Sequence, residues 1–190
     1  VTQANTGMIG GHMGKLLAAS DIANGKYPFV AGTQPAIPPI DGLADIDFHT
    51  NETIFADPNK PDHLVIIGGG PIGIEMAQAH VRLDVRVTVV EALSIMARDD
   101  AELVARLKER LQADGVCFIE GIGVSKVRQI QGREAQNNIR LILGDGTRLM
   151  ASHLLVAAGR RAVTDGMNLH AAGVDVGKAG IVTDRRLRTS

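Results

Sequence analysis

The sequence predicts a doubly wound α/β fold, a buried parallel sheet whose strands alternate with helices and whose last crossover is an antiparallel β-meander. Three observations carry this. Aliphatic runs bounded by glycine recur between Leu64 and Ala157, which suits a parallel sheet covered on both faces. Two segments of helical period separate the first three runs. Alternating stretches around Gly144-Asp145-Gly146 fill the gap before the fourth run, and strands interleaved with helices define this architecture.

Residues 1–27 are glycine-rich and weakly helical around 15–24, with no strand pattern before them. Pro28, Pro35, Pro38 and Pro39 exclude an interior helix or central strand, so 28–62 reads as a connector. It ends in the turn-rich Asp57-Pro58-Asn59-Lys60-Pro61-Asp62. The principal unit then runs over 63–170. Residues 64–67 form its first strand and 71–83 its first helix, with Pro71 in the opening turn where a missing N–H costs little. Residues 86–90 form the second strand. Apolar residues at Leu103, Val104, Leu107 and Leu111 place a helix over 100–114, which Gly115 stops. Residues 116–119 are the third strand, 124–150 the meander, and 153–157 a fourth strand closed by Gly159. Residues 171–190 are a return segment.

The chain has 190 residues, 20 Lys plus Arg against 21 Asp plus Glu, 45% hydrophobic and 22% charged residues. That composition excludes a largely disordered chain. A net charge of -1 gives no basic face for nucleic acid or an anionic membrane. The longest apolar stretch, 64–74, falls short of the roughly 20 residues that span a bilayer. No secretion signal is visible, so the cytoplasm is the expected compartment. With Cys117 as the one cysteine, an intrachain disulfide and a multi-cysteine zinc cluster are both impossible. Electron chemistry here needs a cofactor.

The sharpest signal is Gly68-Gly69-Gly70-Pro71-Ile72-Gly73, a G-x-G-x-x-G directly after a buried strand and directly before a helix. In that setting Gly68 permits the tight turn, Gly70 has no Cβ to block a pyrophosphate, and Gly73 lets helix and strand approach closely. The helix N-terminus offers free N–H groups and partial positive charge to phosphates. Glu91 ends the second strand 18 residues after Gly73, where a carboxylate accepts hydrogen bonds from ribose hydroxyls and repels a 2′-phosphate. NAD(H) is therefore favoured over NADP(H), with Arg98 the nearby cation that argues the other way. The plainer alternative is a tight strand-to-helix turn and a solvated Glu91. A second cluster, Gly7 to Gly14, fails the fingerprint because Ile9 stands where its first glycine belongs and no strand precedes it.

With these residues in place, LVIIGGGPIGIEMAQAHVRLDVRVTVVE (64–91), VAAGRRAVTDGMNLHAAGV (156–174), GIVTDRRLRTS (180–190) and the upstream FVAGTQPAIPPIDGL (29–43) resemble the pyridine nucleotide-disulfide oxidoreductases, two-dinucleotide flavoproteins with Rossmann-like domains. The resemblance covers 29–190. It implies a hydride relay in which NADH bound by 63–170 reduces an FAD held by a separate domain of the same parent chain, the parent being a homodimer. By matching position, Gly68, Gly70, Pro71, Ile72 and Gly73 would cradle the pyrophosphate and Glu91 the ribose. Glu75 would lie near the nicotinamide end, and Gly159 would approach from across the crevice. Pro71 stands where some relatives carry an aromatic lid. The FAD fingerprint and the paired redox cysteines of the family are absent, and His12 stands in a cysteine's place within the faintly similar 11–17. The resemblance therefore implies a fragment or an internally deleted chain, with 1–27 a remnant of the FAD domain or a flexible segment, and no catalytic residue of its own.

Other features read plainly. Cys117 is a small hydrophobe on an apolar strand. The six histidines share no ligand-like spacing, so no metal site is expected. Met76 and Met96 are core filler, and Arg185, Arg186 and Arg188 belong to an edge strand or connector. Two functions remain: the NAD(H)-binding domain of an FAD-dependent oxidoreductase, or a stand-alone, non-catalytic dinucleotide-binding or redox-sensing module.

Overall fold

A run of aliphatic residues without polar alternation must be buried on both faces, and all five residues of β2 (His63–Ile67) are. β2 is the central pair-former of a parallel sheet in the computed structural model, which describes residues 32–130 and 138–190. Its companions are β3 (Arg86–Glu91), β4 (Cys117–Glu120) and β8 (His153–Val156), in the order β4-β3-β2-β8. Helices α1 (Pro71–Val81) and α2 (Ala101–Ala113) join β2 to β3 and β3 to β4. The meander β5 (Val124–Gln129), β6 (Ile139–Leu143) and β7 (Arg148–Ala151) is the crossover from β4 to β8. Chain order therefore reverses at β2, between β3 and β8, which is where open α/β sheets leave a crevice at their carboxyl ends.

Strand pleating sends alternate residues to opposite faces. Leu64, Ile66, Val87, Val89 and Leu155 pack with Ile74, Ala77 and Leu111 of the helices. Val65, Ile67, Val90, Leu154 and Val156 pack against Val127, Ile139, Leu141 and Ala151 of the meander. Helices thus cover one face and the meander the other. Met76 and Met96 are partly buried against the helical side, as core filler should be.

Both helices end in Schellman geometry. Val116 N–H donates to Leu111 and Gly115 N–H to Gln112, with Gly115 at φ 105°. After α1, Val85 N–H donates to His80 and Asp84 N–H to Val81, with Asp84 at φ 57°. That end stops α1 short of the predicted residue 83. α2 opens on Asp100, whose carboxylate accepts from Glu102 and Leu103 N–H at 3.0 and 3.2 Å.

Two expectations are corrected. Leu103 is 64% exposed, because the inward stripe runs through Val104, Leu107 and Leu111 and a neighbouring residue lies ~100° round a 3.6-residue helix. Cys117 is exposed rather than packed, since β4 pairs with β3 alone and is the sheet's edge.

Residues Thr33–Ser190 form one compact unit, so much of the predicted connector packs with the sheet. β1 (Thr33–Pro35) pairs antiparallel with β9 (Arg160–Ala162). The 3-10 turns Leu43–Asp45 and Ile54–Ala56 bury Leu43 and Ile54 in the two cores. The expectations for 1–31, including the second glycine cluster and His12, lie outside the described residues. Near the C-terminus, β10 (Val176–Gly177) and β11 (Gly180–Ile181) form a small hairpin, and Asp184 organises a turn by accepting from Arg186 and Arg188 N–H.

Buried His63 crosslinks three strands. Its Nδ1–H donates to the Met150 carbonyl at 2.6 Å, and its Nε2 accepts from the Thr88 hydroxyl at 2.9 Å. Burial, helped by nearby Arg86, holds its pKa below the ordinary histidine value. The unfolded chain therefore takes up this proton at higher pH than the folded chain does. Stability attributable to His63 is complete above about pH 6.5 and is lost as pH falls through the unfolded value towards the lower folded one. The urea midpoint should be lower at about pH 5 than at about pH 7.5, and His63→Gln should shrink that difference. An equal pH dependence in the variant would assign it to other groups.

Candidate functional site

The turn after β2 is built from glycines because three different obstacles surround it. Gly68 has φ 112°, in the left-handed region, and a Cβ there would overlap the Ala157 carbonyl at the end of β8. Its N–H donates to Val90 O of β3 at 2.9 Å, and Ala157 N–H donates to Ile67 O at 2.8 Å. The turn is wedged between the ends of both neighbouring strands. A Cβ on Gly69 would come within 2.7 Å of Ile95 Cγ2. A Cβ on Gly73 would overlap the Gly68 carbonyl, so this residue sets how closely α1 meets β2.

Gly70 differs from all of these. It is extended, at φ -77° and ψ -179°, and a Cβ added to it meets nothing within 4 Å. No side chain caps α1, and Pro71 occupies its first turn. Pro71 has no N–H, Ile74 N–H donates to Gly70 O at 3.0 Å, and the N–H groups of Ile72 and Gly73 precede the first intrahelical bond. Empty space beside uncapped N–H donors and the positive end of a helix dipole is a setting that favours an anion.

Glu91 faces this loop. Its Oε2 accepts from Gly69 N–H at 2.7 Å and its Oε1 from Leu93 N–H at 2.9 Å. A carboxylate offers about four lone-pair sites, so two remain for further donors. The site residues predicted from sequence are thus sorted by position. Gly68, Gly70, Pro71, Ile72, Gly73 and Glu91 converge at the end of β2. Glu75 is exposed one turn into α1. Gly159, at φ 130° with open space where a Cβ would be, lies two residues beyond the Ala157 carbonyl that abuts Gly68.

The segment after β3 also shapes the loop, which no motif announced. Met96 N–H donates to Gly69 O at 2.9 Å, and Ile95 N–H donates to Glu120 Oε1 at 2.9 Å. Burial pushes the Glu120 carboxyl up, but hydrogen bonds from Lys108 and Ile95 outweigh it and hold the group below its usual range. Arg98 lies exposed on this segment.

The histidine spacing concealed one further cluster. His49 and His153, 104 positions apart in the chain, both meet Asp57. Their grouping with Asp57 is of metal-ligand type, although the histidine spacing gave no sign of it. Among the described residues no helix is long and apolar enough to cross a membrane.

Fold and loop together define a doubly wound α/β domain carrying a glycine fingerprint at its topological switch point. The chain belongs to the pyridine nucleotide-disulphide oxidoreductase family, whose family model matches residues 22–190. It is 36% identical over 166 residues to a mercuric reductase of Streptomyces lividans, covering 86% of this chain and 34% of that protein. It is 30% identical over 173 residues to a mycothione reductase of Mycobacterium tuberculosis, covering 91% and 37%. The HOCl-induced flavoprotein disulfide reductase RclA from Escherichia coli superposes with a TM-score of 0.76 at 28% identity, over 84% of this chain and 36% of that one. The chain spans about a third of the length of these relatives.

Proposed function

We propose that this chain binds NADH at the carboxyl end of β2 and presents it for hydride transfer to FAD held by another domain of the same parent protein. The observation that carries this reading is the unfilled space at Gly70, next to the uncapped start of α1 and the fixed Glu91 carboxylate. The pyrophosphate sits there on the N–H groups of Ile72 and Gly73, and the adenosine ribose bonds the lone pairs that Glu91 has left. Glu75 and Gly159 flank the nicotinamide end. FAD supplies the hydride acceptor when bound. In this reading 63–170 is the nucleotide domain, 28–62 and 171–190 connect it to the FAD domain, and the parent is a homodimer, as the family resemblance implies.

NADH should bind at least about tenfold tighter than NADPH, since a 2′-phosphate would face the Glu91 carboxylate; tenfold is about 1.4 kcal/mol. Fluorescence titration of the chain with both nucleotides tests this, and a reversed preference would overturn it. Glu91→Arg removes the acceptor for Gly69 N–H as well as the charge, so it disturbs the loop itself. Glu91→Gln keeps an acceptor oxygen and loses only the charge. It should erase most of the discrimination, and an unaltered NADH-to-NADPH ratio would mean that the ribose is read elsewhere.

A further inference from the structure

His49, Asp57 and His153 come from three separate parts of the chain, and each is held by backbone structure. His49 runs beside β8, its N–H donating to Leu154 O at 2.7 Å and its carbonyl accepting from Val156 N–H at 2.8 Å. Asp57 closes the 3-10 turn Ile54–Ala56. His153 opens β8. Their side chains converge at the wall of an open cleft of about 560 Å³ that Thr53 and Ser152 also line.

Asp57 Oδ2 lies 3.0 Å from His49 Nε2 and 3.3 Å from His153 Nε2. The three ligand atoms all lie within 4.8 Å of one another. The far side of each of two groups is engaged. Asp57 Oδ1 accepts from Asn59 N–H at 2.8 Å and from its side-chain amide at 3.0 Å, and His153 Nδ1 meets Ser152 Oγ at 3.0 Å. The remaining atoms, Oδ2 and the two Nε2, face each other.

We propose that His49, Asp57 and His153 bind one divalent transition-metal cation of the Zn²⁺ class, leaving coordination positions open towards the cleft. Ligand atoms about 2.0–2.2 Å from a shared ion stand roughly 3 Å apart, close to the two separations from Asp57, and the two Nε2 atoms lie within 4.8 Å of each other. Two imidazole nitrogens favour such an ion over Mg²⁺ or Ca²⁺, which take oxygen ligands, and the carboxylate completes a donor set that Zn²⁺ accepts. Outer hydrogen bonds to Asp57 and His153 supply the orientation that metal ligands require. The site is at the start of β8, whereas the turn touching Gly68 is at its end. It is therefore independent of the nucleotide reading. The bound ion would pin the segment carrying His49 and Asp57 to the sheet.

The test is equilibrium dialysis of the EDTA-treated chain against Zn²⁺, with metal content measured directly. One ion per chain with a Kd of about 10 μM or tighter is expected. Asp57→Asn, which keeps the acceptor for Asn59, and the double variant of His49→Ala with His153→Ala should each weaken binding at least tenfold. His170→Ala should leave it unchanged. At Zn²⁺ about 100-fold above Kd the parent chain should gain about 5 °C or more in Tm, and the double variant should not. Co²⁺ should give a visible absorption band lost in Asp57→Asn, a readout separate from folding. Absence of stoichiometric Zn²⁺ binding would leave an ion pair only, and equal binding by the double variant would place the ion elsewhere; either result overturns the proposal.

Discussion

Gly70→Val is expected to weaken NADH binding at least about 100-fold, or about 2.8 kcal/mol, while the variant still folds. The backbone at Gly70 is extended, so valine adopts it without strain, and the space around its Cβ is empty. The cost to the free protein is confined to the helix start, where valine caps less well than glycine. That amounts to about 1 kcal/mol or less, or about 2–4 °C in Tm for a unit of this size. In the complex the branched side chain would fill the pyrophosphate's place and force the phosphates off the N–H groups of α1. Calorimetric titration alongside a thermal melt separates the two effects. Undiminished affinity would remove Gly70 from the site, and a melt lowered by 10 °C or so would mean that the space is not free.

What the sequence made legible was local. The aliphatic runs at 64–67 and 86–90 announced buried parallel strands, and the fingerprint between strand and helix announced the close turn. Gly115 stopped α2 as its position demanded, because the left-handed Schellman residue is set by the helix end alone. The failures were long-range. Periodicity admitted Leu103 to the apolar set, but the face α2 turns inward is decided by which strands lie beneath it. An apolar strand suggested a packed Cys117, but only sheet order reveals that β4 is an edge. The prolines of 28–62 correctly excluded a central strand, yet said nothing of Leu43 and Ile54 filling both cores. The same limit hid His49, Asp57 and His153. No spacing links positions 49, 57 and 153, and they meet because the chain before β2 returns alongside β8.

Gly73→Ala should act in the opposite way to Gly70→Val, through the fold. In an open helical position alanine would stabilise by ~1 kcal/mol over glycine. Here the added methyl would overlap the Gly68 carbonyl, an obstacle made of backbone. That carbonyl has little freedom to retreat, since Gly68 is bonded to Val90 and abuts the Ala157 carbonyl. The helix must then lift from the sheet, opening contacts of Ile74 and Ala77 with Ile66 and Val89. Overpacking typically costs about 1–3 kcal/mol, and a backbone obstacle puts this site at the upper end, so after the ~1 kcal/mol helix-propensity gain Tm should fall by roughly 4–8 °C. Nucleotide affinity should fall too, because the N–H groups at the start of α1 move with the helix. A melting temperature equal to or above that of the parent chain would show that α1 and β2 are not held at this distance. The geometry on which the proposed phosphate site depends would then be lost, whatever Gly70→Val had shown.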